Sequence, residues 1–135
     1  MQAELSNVGR VSKLLVACWT LSGQDPLMPS SHGIPDMALH SLVENGVFPE
    51  WVVEELDFAE TSVGLRCAQM TAMLNEAQTR KLSAAPNPSY NVVQFSISKA
   101  SAVKLLNKLD VSEEMAVDIG IKLRNAITEA VSECS

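Results

Sequence analysis

Two histidines, three cysteines and sixteen carboxylates are the residues of this chain with the means to do chemistry, and their spacing limits what chemistry that is. His32 and His40 lie eight residues apart. Zinc sites draw ligands from closely spaced His and Cys pairs, and no pair here has that spacing. Cys67, His40 and Asp57 supply the residue types of a thiol triad. A reactive thiolate sits exposed beside a cation or a helix N-terminus, whereas Cys67 falls on an apolar seam, where cysteine acts as a small hydrophobe. Glu50 with Glu54, or Glu54 with Asp57, share a helical face and are the candidates for binding a divalent ion. A di-iron bundle needs Glu followed three residues later by His, and no Glu here is. Gly9, Gly23, Gly33, Gly46, Gly64 and Gly120 are scattered and assemble no phosphate-cradling loop. The expectation is a protein that is not an enzyme, with no metal and no cofactor. A metal-binding helical protein using the acids near Glu54 is the lesser alternative.

The elements around these residues are set by composition. The chain has 135 residues, 47% apolar and 19% charged, which is enough apolar surface for one domain with a core. Only 4% are aromatic, so the core is built of Leu, Val, Ala, Ile and Met. The net charge of −6 opposes binding to nucleic-acid phosphates or an anionic membrane. An odd number of cysteines without a CxxC pair fits reduced thiols and a cytoplasmic location better than a disulfide framework. Residues 15–18, LVAC, resemble a lipoprotein cleavage box, but the apolar run before Cys18 is too short for a signal segment. No run approaches the ~20 apolar residues of a membrane span.

Helical spacing of apolar residues predicts a first helix over 3–21, carrying Val8, Val11, Leu14, Leu15, Cys18, Trp19 and Leu21, with Gly23 as stop. A Pro-rich loop follows over 23–35. Asp36 is read as the cap of a helix over 37–45 that buries Met37, Leu39, Leu42 and Val43, and Gly46 ends it. From Pro49 onward, Val52, Leu56, Ala59, Val63, Cys67, Met70, Leu74 and Ala77 make one helical seam, with Trp51, Phe58, Leu65 and Ala72 beside it. One long helix or two in tandem satisfy this pattern, and Thr61, Ser62 and Gly64 mark the weak point. Acids crowd the start of that seam and Arg66, Arg80 and Lys81 its end, as a helix dipole favours. After a loop near 83–91, Val93, Phe95 and Ile97 alternate with Gln94 and Ser96 in the one convincing strand. Its best internal mate is the stretch around Leu27 and Met28. Otherwise it serves as an extended connector, or as an edge for strand addition by another chain. Two helices finish the chain. One spans 99–109, and the other is capped by Ser112 and lined inside by Ala116, Ile119, Leu123, Ile127 and Ala130, with Val117, Ile121 and Val131 at its flank. The fold class is thus mostly α: a single-domain helical bundle over residues 1–135, with five to six helices and at most one or two short strands.

What remains is surface chemistry. The apolar face from Trp51 to Ala77 is wide, with adaptable Met70 and Met73 near its centre, and Trp is enriched in binding hot spots. Phe48, Trp51, Val52, Leu56 and Phe58, with Val93 and Phe95 on the strand, are the candidate partner-binding residues, set against the plainer reading that they are core. Residues 104–123 have the rhythm of a helix-turn-helix and make a transcriptional regulator the alternative. Glu113 and Glu114 at the head of its second helix would face phosphate.

Residues 42–67, LVENGVFPEWVVEELDFAETSVGLRC, and 91–106, NVVQFSISKASAVKLL, resemble the IcmS-type adaptor chaperones of Dot/Icm type IVB secretion systems. The likeness lies in the Gly-apolar-apolar-Pro step into a helix, the small Cys-containing segment, and a Val-rich strand ending in Phe before a Leu-rich helix. It covers about residues 11–109, and the chain departs from it in its longer last helix and the Pro-rich loop. The resemblance implies a non-catalytic role: a small acidic protein that pairs with another adaptor and presents effectors to a coupling complex. The partner expected from the residues is another protein, in a hetero-complex or homodimer, with no nucleic acid and no direct membrane insertion.

Overall fold

A computed structural model describes residues 7–25, 27–29, 33–79, 83–84, 92–95 and 97–134. In chain order these form α1 (Asn7–Ser22), β1 (Leu27–Pro29), α2 (Ile34–Glu44), α3 (Glu50–Val53), β2 (Phe58–Thr61), β3 (Gly64–Cys67), α4 (Met70–Thr79), β4 (Ser83–Ala84), β5 (Val92–Phe95), α5 (Lys99–Leu109) and α6 (Glu113–Cys134). Among the described residues the fold is mostly α, with six helices, and carries more strand than the one or two expected.

The helix ends follow local chemistry. Gly46 at φ 68° closes α2, and the Val47 N–H reaches back to the Leu42 carbonyl at 3.0 Å, the paired return of a Schellman end. Ser98 Oγ accepts from the Ser101 N–H at 3.1 Å to start α5, and Ser112 Oγ accepts from the Met115 N–H at 3.1 Å to start α6. Between them Asp110 turns left-handed at φ 58°, which an Asp tolerates better than most residues. Asp36 is not the cap of α2. Gly33 holds that position, and Asp36 lies buried in the first turn, where its Oδ2 accepts the Cys67 N–H at 2.7 Å.

The tandem-helix reading of 49–82 does not hold. The chain makes a single turn at α3, a β2–β3 hairpin and then α4. A seam spaced by three and four coincides here with strand alternation, since Phe58 faces Cys67 and Glu60 faces Leu65 across the hairpin. The turn decides between the two. Thr61 Oγ1 donates to the Gly64 carbonyl at 2.7 Å and accepts the Val63 N–H at 3.2 Å. Gly64 sits at φ 105°, open only to glycine. Gln69 locks the base of the hairpin, its Oε1 accepting the Asp57 N–H at 2.8 Å and its amide donating to Asp57 Oδ2 at 2.9 Å.

The strand expected near 93–97 is β5, and its mate is internal. Leu27, Met28 and Pro29 pair with Gln94, Val93 and Val92, while β4 pairs on the other side in the order β1-β5-β4. β5 is thus central in its sheet, with Val93 paired to β1, Phe95 to β4 and Gln94 to both.

The core is organised around α1, which packs against α4, α5 and α6, while α2 lies on α6. Val11, Leu14, Ala17 and Cys18 are fully buried, as are the predicted inner residues Ala116, Ile119, Leu123, Ile127 and Ala130 of α6. The closest approach falls at Gly120, where an added Cβ would collide with the Cys18 carbonyl and lie 2.6 Å from Ser22 Oγ. Gly120→Ala is expected to destabilise by about 1–3 kcal/mol through overpacking, although Ala is the better helix former. Urea unfolding checks this, since a helix-propensity effect alone would raise stability.

Candidate interaction surface

The candidate residues divide between two regions and two environments. Phe48 follows α2, Trp51 and Val52 lie on α3, Leu56 follows it, and Phe58 opens β2; Val93 and Phe95 belong to β5 in the other sheet. Phe48, Val52, Leu56 and Phe95 are buried in the main apolar cluster. Trp51, Phe58 and Val93 are half-buried and pack against that cluster. The visible part of the Trp51 ring is overlaid by the Arg10 guanidinium, 4.8 Å from its centroid. Phe58 meets the His40 ring edge-on at 5.0 Å.

Of the seam beyond them, Cys67, Met70, Met73 and Ala77 are also core. The Met70 and Met73 side chains help to line an apolar cavity of about 30 Å³ with Leu39, Phe95 and Leu123. Much of the wide apolar face is therefore used by the fold, while Ala59, Val63 and Ala72 stay exposed. Ser12 Oγ, buried in α1, donates to the Met73 carbonyl at 2.8 Å and ties α4 to the central helix.

Among the described residues the exposed large apolar side chains are Leu27, Val63, Met115, Ile121 and Val131. Val63 is the most exposed at 69%, at the turn of the hairpin. Leu27 and Val131 flank a cleft of about 260 Å³ between β1 and α6, floored by Trp19 and Arg124.

Arg124 is a residue whose role the sequence reading missed. Its guanidinium lies 4.3 Å above the Trp19 ring, and its Nη2 donates to the Trp19 carbonyl at 2.6 Å and the Asp25 carbonyl at 2.9 Å. Its Nε donates to Ser22 Oγ at 2.9 Å. Trp19 also packs edge-on against Phe95 at 5.9 Å and donates its indole N–H to the Asp25 carbonyl. Burial lowers the Arg124 pKa from its ordinary value, and Asp25 partly opposes that shift. The signal in the sequence was a lone arginine breaking the apolar flank formed by Val117, Ile121 and Val131.

The chemical candidates are engaged elsewhere. His40 Nε2 pairs with Glu44 at 3.3 Å, Asp57 with Gln69, and the Cys67 thiol lies 3.6 Å from Gln69 Oε1. His32 lies outside the described residues, as do Arg80 and Lys81. Among the described residues no three His, Cys, Asp or Glu side chains are grouped to hold a metal ion, and no helix is long and apolar enough to cross a membrane. The second helix of the helix-turn-helix rhythm, α6, spends its inner stripe on the core and presents Glu113 and Glu114 to solvent.

The geometry thus defines a mostly α domain, stapled by an arginine–tryptophan stack and carrying an exposed hairpin. Compared with known proteins, the chain matches no family model, no curated sequence and no solved structure.

Phe48→Ala and Phe95→Ala are each expected to cost about 3–5 kcal/mol of stability, whereas Val63→Ala should stay within about 0.5 kcal/mol; denaturant unfolding of the three variants checks the assignment of core and surface. A pH titration tests the buried thiols. Burial pushes the Cys18 thiol from its ordinary 9.0 up to about 12, and burial is also the main cause raising Cys67. Above pH 9 the unfolded chain has lost protons that the native chain keeps, so stability falls as pH climbs from 9 toward 12. Cys18→Ala should flatten that alkaline decline in a pH series of melting curves.

Proposed function

We propose that this protein is a non-catalytic adaptor that binds another protein in the cytoplasm and presents or stabilises it. The observation that carries this reading is the β2–β3 hairpin. Hydrogen bonds at its turn and base hold it in place, yet it displays Val63 to solvent. An apolar side chain on a support already held in place can be buried by a partner at a lower ordering cost. Leu27 and Val131 beside the cleft offer a second apolar contact. The binding residues in this reading are therefore the exposed ones, with Phe48, Val52, Leu56 and Phe95 supporting them from the core. The resemblance of 42–67 and 91–106 to IcmS-type adaptors supports a narrower form of the proposal, in which the chain pairs with a second adaptor and delivers effectors to a type IVB secretion complex.

Affinity recovery from the native cell at moderate salt, with bound proteins identified by mass spectrometry, tests this. The expected result is near-stoichiometric recovery of one or two other proteins, reduced several-fold by Val63→Ser with the melting temperature unchanged. Secretion-apparatus components among them would support the narrower form. Recovery of this chain alone would overturn the adaptor reading.

A further inference from the structure

The backbone of the hairpin carries more information than its exposed tip. The register sets Phe58 against Cys67, Ala59 against Arg66, Glu60 against Leu65 and Thr61 against Gly64. The Ala68 N–H donates to the Asp57 carbonyl at 2.8 Å, which makes residues 57 and 68 a hydrogen-bonded pair. Such pairs alternate with pairs whose N–H and C=O groups point away from the partner strand. The outward residues are therefore Phe58 and Glu60 on β2, and Leu65 and Cys67 on β3.

The two edges are treated differently. On β3, Asp36 of α2 takes the Cys67 N–H, and Arg66 Nη1 donates to the Leu65 carbonyl at 2.9 Å. On β2, the outward N–H and C=O groups of Phe58 and Glu60 have no partner among the described residues, and Ala59, Glu60 and Thr61 are exposed. The edge is also of one sign. Between Glu50 and Thr61 the chain has Glu50, Glu54, Glu55, Asp57 and Glu60 and no Lys or Arg. Charge on a short edge strand commonly guards it against pairing with copies of itself. Here a second copy would bring Glu60 and Asp57 of both chains onto one small sheet, and like charges across strands destabilise the pair. The charges that exclude a copy favour a strand of opposite sign.

We propose that the outer edge of β2 receives an extended, Lys- or Arg-bearing segment of a partner protein as a third strand of the hairpin sheet. This rests on the adaptor reading and names the chemistry of its partner. The backbone groups of Phe58 and Glu60 supply the hydrogen bonds, Glu60 and Asp57 the charge selection, and Val63 an apolar stop at the tip. Strand addition of this kind takes affinity from the main chain and specificity from alternate side chains.

The test uses the full chain and two capped synthetic peptides of about seven residues, one alternating Val with Lys and the other Val with Glu. Amide exchange at Phe58 and Glu60 is followed by NMR at low and moderate salt. The expected result is about tenfold slower exchange at both amides with the basic peptide, weakening as salt rises, and no change with the acidic one. Glu60→Pro removes an outward donor without removing a hairpin bond and should abolish the protection; Glu60→Lys should reduce it. The proposal is overturned if the basic peptide leaves both amides unchanged, if the acidic peptide protects them equally, or if the protein alone shows concentration-dependent protection at this edge. A partner recovered from cells that binds Glu60→Pro at full strength overturns the edge while leaving the adaptor reading intact. Protection by the basic peptide with no cellular partner does the reverse.

Discussion

The fold depends on the contact between α1 and α6 at Gly120. A side chain at this position would enter the space of the Cys18 carbonyl and Ser22, so the two helices meet closely enough here that only glycine fits without a shift. That approach brings Arg124, one turn further on, over the Trp19 ring and within reach of the Trp19 and Asp25 carbonyls. Carbonyls at a helix C-terminus carry partial negative charge, and a guanidinium with several fixed donors can satisfy them at once. The same arginine holds the chain leaving α1 as it heads toward β1. Trp19, fixed from above by Arg124, offers its other contacts to Phe95 and thereby to β5. A glycine and an arginine four residues apart thus set the relation of two helices and a sheet.

A second tie joins α2 to the hairpin. Asp36, buried in the first turn of α2, receives the Cys67 N–H from β3. A buried carboxylate is costly unless its oxygens are bonded, so this contact fixes where the hairpin sits. With Gln69 bracing its base, the hairpin is held on one edge and left open on the other.

Helices were the legible part of this sequence, and the reason is visible in particular residues. In α6 the capping serine and the buried stripe both point to the same boundary, and Ser112, Ala116 and Ile127 sit where local rules place them. The segment from Trp51 to Ala77 was misread because its apolar positions satisfy two periods at once. Only the turn chemistry of Thr61 to Gly64 breaks the tie, and it had registered as a helical weak point rather than as a hairpin. Apolar periodicity reports which side chains seek burial, not what covers them, so it left interface and core both open for the candidate residues, of which Phe48, Val52, Leu56 and Phe95 lie in the core and Trp51, Phe58 and Val93 are half-buried. Arg124 was illegible because its partners, Trp19 and the Asp25 carbonyl, lie about a hundred residues away in the chain.

That separation has a consequence for how the chain acquires its structure. The central helix is the first described element, and the element it leans on most closely, α6, is the last. During synthesis, Val11, Leu14 and Cys18 emerge long before Ile119 and Leu123 exist to cover them. Contacts between distant segments are slow to form because loop closure must come first, and a nascent chain in that state exposes apolar surface. The two halves of the core are thus joined in time by the ribosome as well as in space by Gly120, and the α6-facing side of α1 waits uncovered, with only α4 and α5 available to pack on the helix, until α6 is made.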